Sequence, residues 1–156
     1  MKIEYIFYDF DGVMTNNKVL IDGFGNELVE VNRSDGLAIS EIKKLGIGQA
    51  IISTETNNVV SKRALKLKIP CLQGIKDKKK ALKEYCLKEK VDIKYSLFVG
   101  NDLNDFEVMN SIGYAICPSD AYKDIIKISD HVLKSKGGQG VIREILDLIN
   151  KGEIVI

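Results

Sequence analysis

Four short apolar runs, over residues 5–8, 50–52, 96–99 and 114–116, alternate with longer stretches whose apolar residues recur at helical spacing. This alternation restricts the fold more than any other feature of the chain. The short runs read as strands, and strands that alternate with helices build a parallel sheet covered by helices. The expected fold class is therefore α/β, a Rossmann-like three-layer sandwich around a central parallel sheet. Leu37, Ile39, Ile42 and Leu45 form one helical face before Gly46, and Val59, Val60, Ala64 and Leu67 a second before Pro70. Ala81, Leu82, Tyr85 and Cys86 give a third face, and Val141, Ile142, Ile145, Leu146 and Ile149 a fourth.

One segment breaks the rhythm. Val19-Leu20-Ile21 and Glu27-Leu28-Val29-Glu30-Val31 flank Asp22-Gly23-Phe24-Gly25-Asn26, whose glycines and Asn suit a tight reversal. This predicts a β-hairpin over about residues 18–31, inserted between the first strand and the first helix. A chain of 156 residues with 45% hydrophobic content is the size of one domain, so a single domain over residues 1–156 is expected. Only residues 152–156 read as a loosely attached tail.

Lys and Arg number 23 against 22 Asp and Glu, spread along the chain, which argues against the basic stripe that nucleic-acid binding requires. A small soluble ligand fits that balance better. The apolar run at the N-terminus is short and soon interrupted by Asp9, so neither a signal peptide nor a membrane span is expected. The expected location is the cytoplasm. Cys71, Cys86 and Cys117 are odd in number and lack CxxC spacing, which points to reduced, partly buried thiols.

In open parallel sheets, ligands bind beyond the carboxyl ends of the strands. Asp9 and Asp11 follow the first run, Ser53 the second, and Gly100, Asn101, Asp102 and Asp105 the third. Carboxylates gathered at one rim repel one another, and a hard oxygen-preferring cation such as Mg²⁺ stabilises them, with Asp9 and Asp102 as natural ligands. Magnesium shares its remaining positions with phosphate oxygens, which points to a phosphorylated substrate. Lys78 opens the helix before the strand that leads to Asp102, and can hold the other side of the phosphoryl group. Each element has a plainer reading alone: DxDG as a turn, Ser53 as a helix cap, Asn101 to Asp105 as a helix start. Their order, all at strand ends, favours the site.

This ordered set resembles the motifs of the haloacid dehalogenase superfamily over essentially the whole chain. The first motif is Asp9-Phe10-Asp11-Gly12-Val13-Met14-Thr15, the second Ser53, the third Lys78, and the fourth Gly100-Asn101-Asp102-Leu103-Asn104-Asp105. Residues 31–36, Gln73-Gly74 and the segment 136–144 further resemble its capless sugar-acid phosphatase branch. That branch includes phosphatases for 3-deoxy-octulosonate 8-phosphate and for nine-carbon keto-acid 9-phosphates. Asn16 stands where the branch often has Asp, and Gln139 where the octulosonate enzymes commonly carry Arg.

The resemblance implies a phosphatase in which Asp9 is the nucleophile and Asp11 the general acid and base. It implies Mg²⁺ held by Asp9, the Asp11 backbone carbonyl and Asp102, with Ser53 and Lys78 on the phosphoryl oxygens and Asp105 behind them, orienting Lys78 or a metal-bound water. It also implies a homotetramer in which hairpins cover neighbouring active sites, and the hairpin's exposed strand edges favour association independently. For the substrate, Thr54 and Glu55 stand where octulosonate phosphatases usually show Gly-Arg, and Arg63 and Lys66 follow on the next helix. Taken as substrate contacts, these four favour a nine-carbon KDN- or sialic-acid-type 9-phosphate, with the octulosonate phosphate as the alternative. Arg63 and Lys66 read alone are a solvated basic face. Gly137, Gly138 and Gly140 read equally as a mobile loop near the entrance or as a helix-start turn, and His131 as structural. Two other classes compete: a non-catalytic oligomerisation module and a phosphoaspartate receiver-like switch.

Overall fold

The computed structural model describes residues 2–156. Six strands form one parallel sheet: β1 (Tyr5–Tyr8), β4 (Gly48–Ile52), β5 (Cys71–Leu72), β6 (Ser96–Val99), β7 (Tyr114–Cys117) and β8 (His131–Val132), in the order β5-β4-β1-β6-β7-β8. A separate antiparallel pair, β2 (Leu20–Ile21) and β3 (Glu27–Leu28), makes the hairpin. The helices are α1 (Arg33–Lys44), α2 (Val59–Leu67), α3 (Lys78–Glu89), α4 (Phe106–Met109), α5 (Lys123–Ile128) and α6 (Val141–Asn150).

Strand side chains alternate between the two faces of a sheet, and each face here owns its own apolar cluster. Ile6, Tyr8, Ile51, Leu97, Val99 and Ile116 pack with residues of α1, α2 and α6. Phe7, Ala50, Ile52, Phe98, Ala115 and Cys117 pack with residues of α3, α4 and α5. The sheet is thus the middle of three layers, as the alternation of apolar runs predicts. The chain runs outward from β1 through β4 to β5, then returns to the other side of β1 at β6. That reversal puts a switch point between β1 and β6, where their carboxyl ends leave a crevice.

The expected strands and helices are present, and two further strands and two further helices accompany them. β5, β8, α4 and α5 are two to six residues long, too short for a readable period. The hairpin arms are shorter than the apolar runs suggest, because Val29 and Val31 bend inward to pack on the core. Asp22 accepts from Phe24 N, Asn26 N and Asn26 Nδ2 and so holds the loop. Leu20, Ile21 and Phe24 stay out in solvent, Phe24 at 93% exposure. All three cysteines are free thiols, two of them buried. No described helix is long and apolar enough to cross a membrane.

Candidate active site

β1 delivers Asp9 to the switch point, where its N–H donates to Val99 O of the neighbouring β6 at 2.9 Å. The chain then turns sharply: Val13, Met14 and Thr15 all donate to Phe10 O, and Gly12 N donates to Thr15 Oγ1. Gly12 has a φ of +79°, and a Cβ there would collide with the Asn101 carboxamide, so the turn admits only glycine. Phe10 N and the Lys78 ammonium both contact Asp9 Oδ1, each at 2.7 Å, and neither takes Oδ2.

Lys78 is the first residue of α3, behind Asp77, whose carboxylate caps the helix by accepting from Lys80 N. Its side chain is buried, with Nζ at 2.7 Å from both Asp9 Oδ1 and Asp105 Oδ1. Asp105 Oδ2 accepts from Asn101 N at 2.9 Å and Asp102 N at 3.4 Å, so this buried carboxylate is fully engaged by Lys78 and the backbone. Burial lowers the Lys78 pKa, but Asp9 and Asp105 more than offset it and hold the ammonium above its ordinary value. Burial, then the Asp105 charge, push the Asp9 carboxyl up, while Lys78 pulls it back. Asp11, half-buried, is raised chiefly by burial and then by the Glu55 carboxylate, with Thr15 opposing.

Asp9, Asp11, Asn17, Thr54, Asn101, Asp102 and Asn104 line a polar cavity of about 390 Å³. Three of the four strand-end carboxylates, Asp9, Asp11 and Asp102, thus share one cavity. Asp105 turns away toward Lys78, and among the described residues no group of three or more His, Cys, Asp or Glu side chains is placed to hold a metal ion. Oδ1 of the exposed Asp102 accepts from Leu103 N at 2.7 Å. Asn101 is buried, and its Oδ1 has no hydrogen-bond partner. A buried carbonyl oxygen without a partner, beside Asp9 at the cavity wall, fits a hard cation as donor. Sequence reasoning names Asn101 and Asn104 only as members of the fourth motif and does not single out Asn17, because amides carry no charge to mark them.

The other candidate residues divide. Thr54 meets Asn104 Nδ2 at 3.4 Å across the cavity, while Ser53 Oγ, just beneath, accepts from Glu55 N at 3.1 Å. Glu55 Oε1 accepts from Thr56 N and Asn57 N, bracing its own turn, and Asn57 Nδ2 reaches Glu27 of the hairpin at 3.1 Å. Arg63 and Lys66 are not brought to the cavity wall. Arg63 donates to Asn32 O at 3.0 Å and Lys66 is exposed to solvent.

The family model for haloacid dehalogenase-like hydrolases matches residues 71–145. A curated relative, the 3-deoxy-D-manno-octulosonate 8-phosphate phosphatase of Yersinia pestis, is 32% identical over 148 residues, covering 94% of this chain and 79% of that protein. A Streptomyces avermitilis structure described as a HAD family hydrolase superposes with a TM-score of 0.90 at 42% identity, covering 92% and 83% of the two chains. The Moraxella catarrhalis octulosonate 8-phosphate phosphatase, solved with magnesium, phosphate and KDO, gives 0.91 at 29% identity, covering 96% and 86%.

Proposed function

Because the chain belongs to the haloacid dehalogenase-like hydrolases, we propose that the cavity at the β1/β6 switch point is the active site of a Mg²⁺-dependent phosphomonoesterase acting on a 2-keto-3-deoxy sugar acid phosphate. The observation that carries this reading is the state of Asp9. One carboxylate oxygen is pinned by Phe10 N and Lys78 Nζ, and the other is left for a phosphorus atom.

In this reading Asp9 Oδ2 attacks phosphorus, a P–O bond forms to Asp9, and the sugar alkoxide leaves. Asp11 gives its proton to the departing oxygen, and its raised pKa suits that donation. Water then attacks the aspartyl-phosphate with Asp11 taking the proton, the Asp9–phosphorus bond breaks, and orthophosphate is released. Lys78 contributes fixed positive charge, held in place by Asp105, and Ser53 contributes a hydroxyl. Asp9, the Asp11 backbone carbonyl and the unpartnered Asn101 Oδ1 would hold the metal, with Asp102 at the same wall. Bound there, Mg²⁺ supplies charge neutralisation for the phosphoryl oxygens.

The relatives favour the eight-carbon octulosonate 8-phosphate as substrate over the nine-carbon acid that Glu55, Arg63 and Lys66 suggest by sequence. One observation keeps the nine-carbon acid as a second reading: Thr54 and Glu55 occupy the turn beside the cavity where the octulosonate enzymes usually show Gly-Arg. Phosphate release with Mg²⁺ from both phosphorylated acids separates the two. A higher kcat/KM for the eight-carbon compound is expected.

The hairpin is too small to close over the cavity, and it exposes Val19, Leu20, Ile21, Phe24 and Leu28 together. An apolar ribbon of this kind calls for a partner surface. A homotetramer whose hairpins pair and cover neighbouring sites supplies one, and encloses the cavity away from bulk solvent.

A further inference from the structure

The loop between β8 and α6 is the part of the chain that this mechanism leaves without a task. Gly137 N donates to Asp120 Oδ1 at 2.9 Å, Gly138 N donates to Val13 O at 3.0 Å, and Gly138 O accepts from Asn32 Nδ2 at 3.4 Å. The loop therefore lies directly against the turn that follows Asp9. Contact is closest at Gly137, where a Cβ would collide with the Gly12 carbonyl oxygen and come to 2.8 Å of Gly12 C and 3.0 Å of Thr15 O. These are backbone atoms, with no rotamer to yield. Gly137 itself is not in the left-handed region, so only the neighbouring turn bars a larger residue.

Asp120 holds this contact from the far side. It follows β7, is exposed, and is absent from the cavity wall. Two residues on, Tyr122 N donates to Asn101 O at 2.8 Å. One short segment thus grips both the end of β6 that carries Asn101 and the glycine loop that presses on Gly12.

We infer that the Gly137-Gly138 backbone, anchored by Asp120, is a clamp that sets the position of the Asp11-Gly12 turn against Asn101. Asp120 is on this account a positioning residue, acting through Gly137 on groups it does not touch. The inference rests on the proposed roles of Asp9 and Asp11. Misplacing reacting groups by about 1 Å can cost a reaction on the order of 100-fold. Losing this one partly buried hydrogen bond changes stability only modestly. Kinetic and structural effects of releasing the clamp should therefore separate.

The test compares wild type with Asp120→Ala, Asp120→Asn and Gly137→Ala. Turnover of octulosonate 8-phosphate and of a simple aryl phosphate is measured with Mg²⁺, alongside melting temperature and amide hydrogen exchange of residues 12–15. Asp120→Ala and Gly137→Ala should lower kcat about tenfold or more with KM changed less than about twofold. Asp120→Ala should lose no more than about 4 °C in melting temperature and exchange faster at residues 12–15. Asp120→Asn, which retains the acceptor for Gly137 N, should recover wild-type kcat. Unchanged kcat in Asp120→Ala, a rise in KM alone, or unaltered exchange at residues 12–15 would overturn the clamp. If wild type turns over neither phosphomonoester, the proposed function fails, and the exchange measurement still decides the clamp by itself.

Discussion

Lys78 Nζ lies 2.7 Å from Asp9 Oδ1, and the two side chains are buried together at the carboxyl edge of the sheet. A lone ammonium in that position would be costly, and a second carboxylate, Asp105, completes its neutralisation. The arrangement fixes one oxygen of Asp9 and commits Lys78 to the site.

Removing the cation should unbalance the core of the site. Lys78→Met leaves Asp9 facing Asp105 and should cost about 3 kcal/mol in urea unfolding of the metal-free protein at neutral pH. A carboxyl whose folded pKa lies above its unfolded one imposes a penalty that is full above the folded pKa and fades as pH falls through it. Asp9 is already raised and loses its lowering partner in this variant. The stability deficit should therefore shrink in mildly acidic buffer, and a deficit independent of pH would contradict this reading.

The proton donor gives a second pH signature. Glu55 helps raise the Asp11 pKa, after burial, so Glu55→Gln should lower it. Asp11 must be protonated to release the sugar, so activity falls as pH rises through its pKa. The alkaline limb of the kcat profile should move to lower pH in the variant. The Gln side chain retains the Oε1 acceptor that braces Thr56 and Asn57.

Metal affinity distinguishes two neighbours. Asn101→Ala should weaken Mg²⁺ binding by calorimetry about tenfold or more, the scale on which even outer partners of metal ligands act. Asp102→Ala should weaken it less, since an Asp102 oxygen already accepts from Leu103 N and the side chain stays exposed. The reverse ranking would return the ligand role to Asp102.

Light scattering after size exclusion tests the hairpin. Wild type should run as a tetramer, and Ile21→Asp, at an exposed site of β2, should give smaller species with reduced turnover. A fully active wild-type monomer would contradict shared coverage of the sites.

Much of this architecture was legible because strand ends carry chemistry. Asp9 and Asp11 are charges at the end of an apolar run, which stand out in a sequence, and Lys78 is marked by its place before the run that leads to Asp102. Asn101 does not stand out, since its significance depends on an amide oxygen left unpaired beside Asp9 once the chain has folded. Arg63 and Lys66 are the opposite case, charged and conspicuous in the sequence but placed away from the cavity wall, one donating to Asn32 O and the other exposed to solvent. β5 and β8 were hidden because two residues have no period. Asp35 illustrates long-range information of another kind. Its Oδ1 accepts from Ile142 N and Arg143 N at 3.0 Å each, joining the start of α1 to the start of α6, and no local pattern announces that pairing.

The central claim is that Asp9 is the nucleophile, and Asp9→Asn tests it most directly. Lys78 keeps Asp105 in that variant, so the fold should survive with an undiminished melting temperature. Phosphate release from octulosonate 8-phosphate with Mg²⁺ should fall by about 1,000-fold or more. Turnover close to wild type in the folded variant would contradict the account.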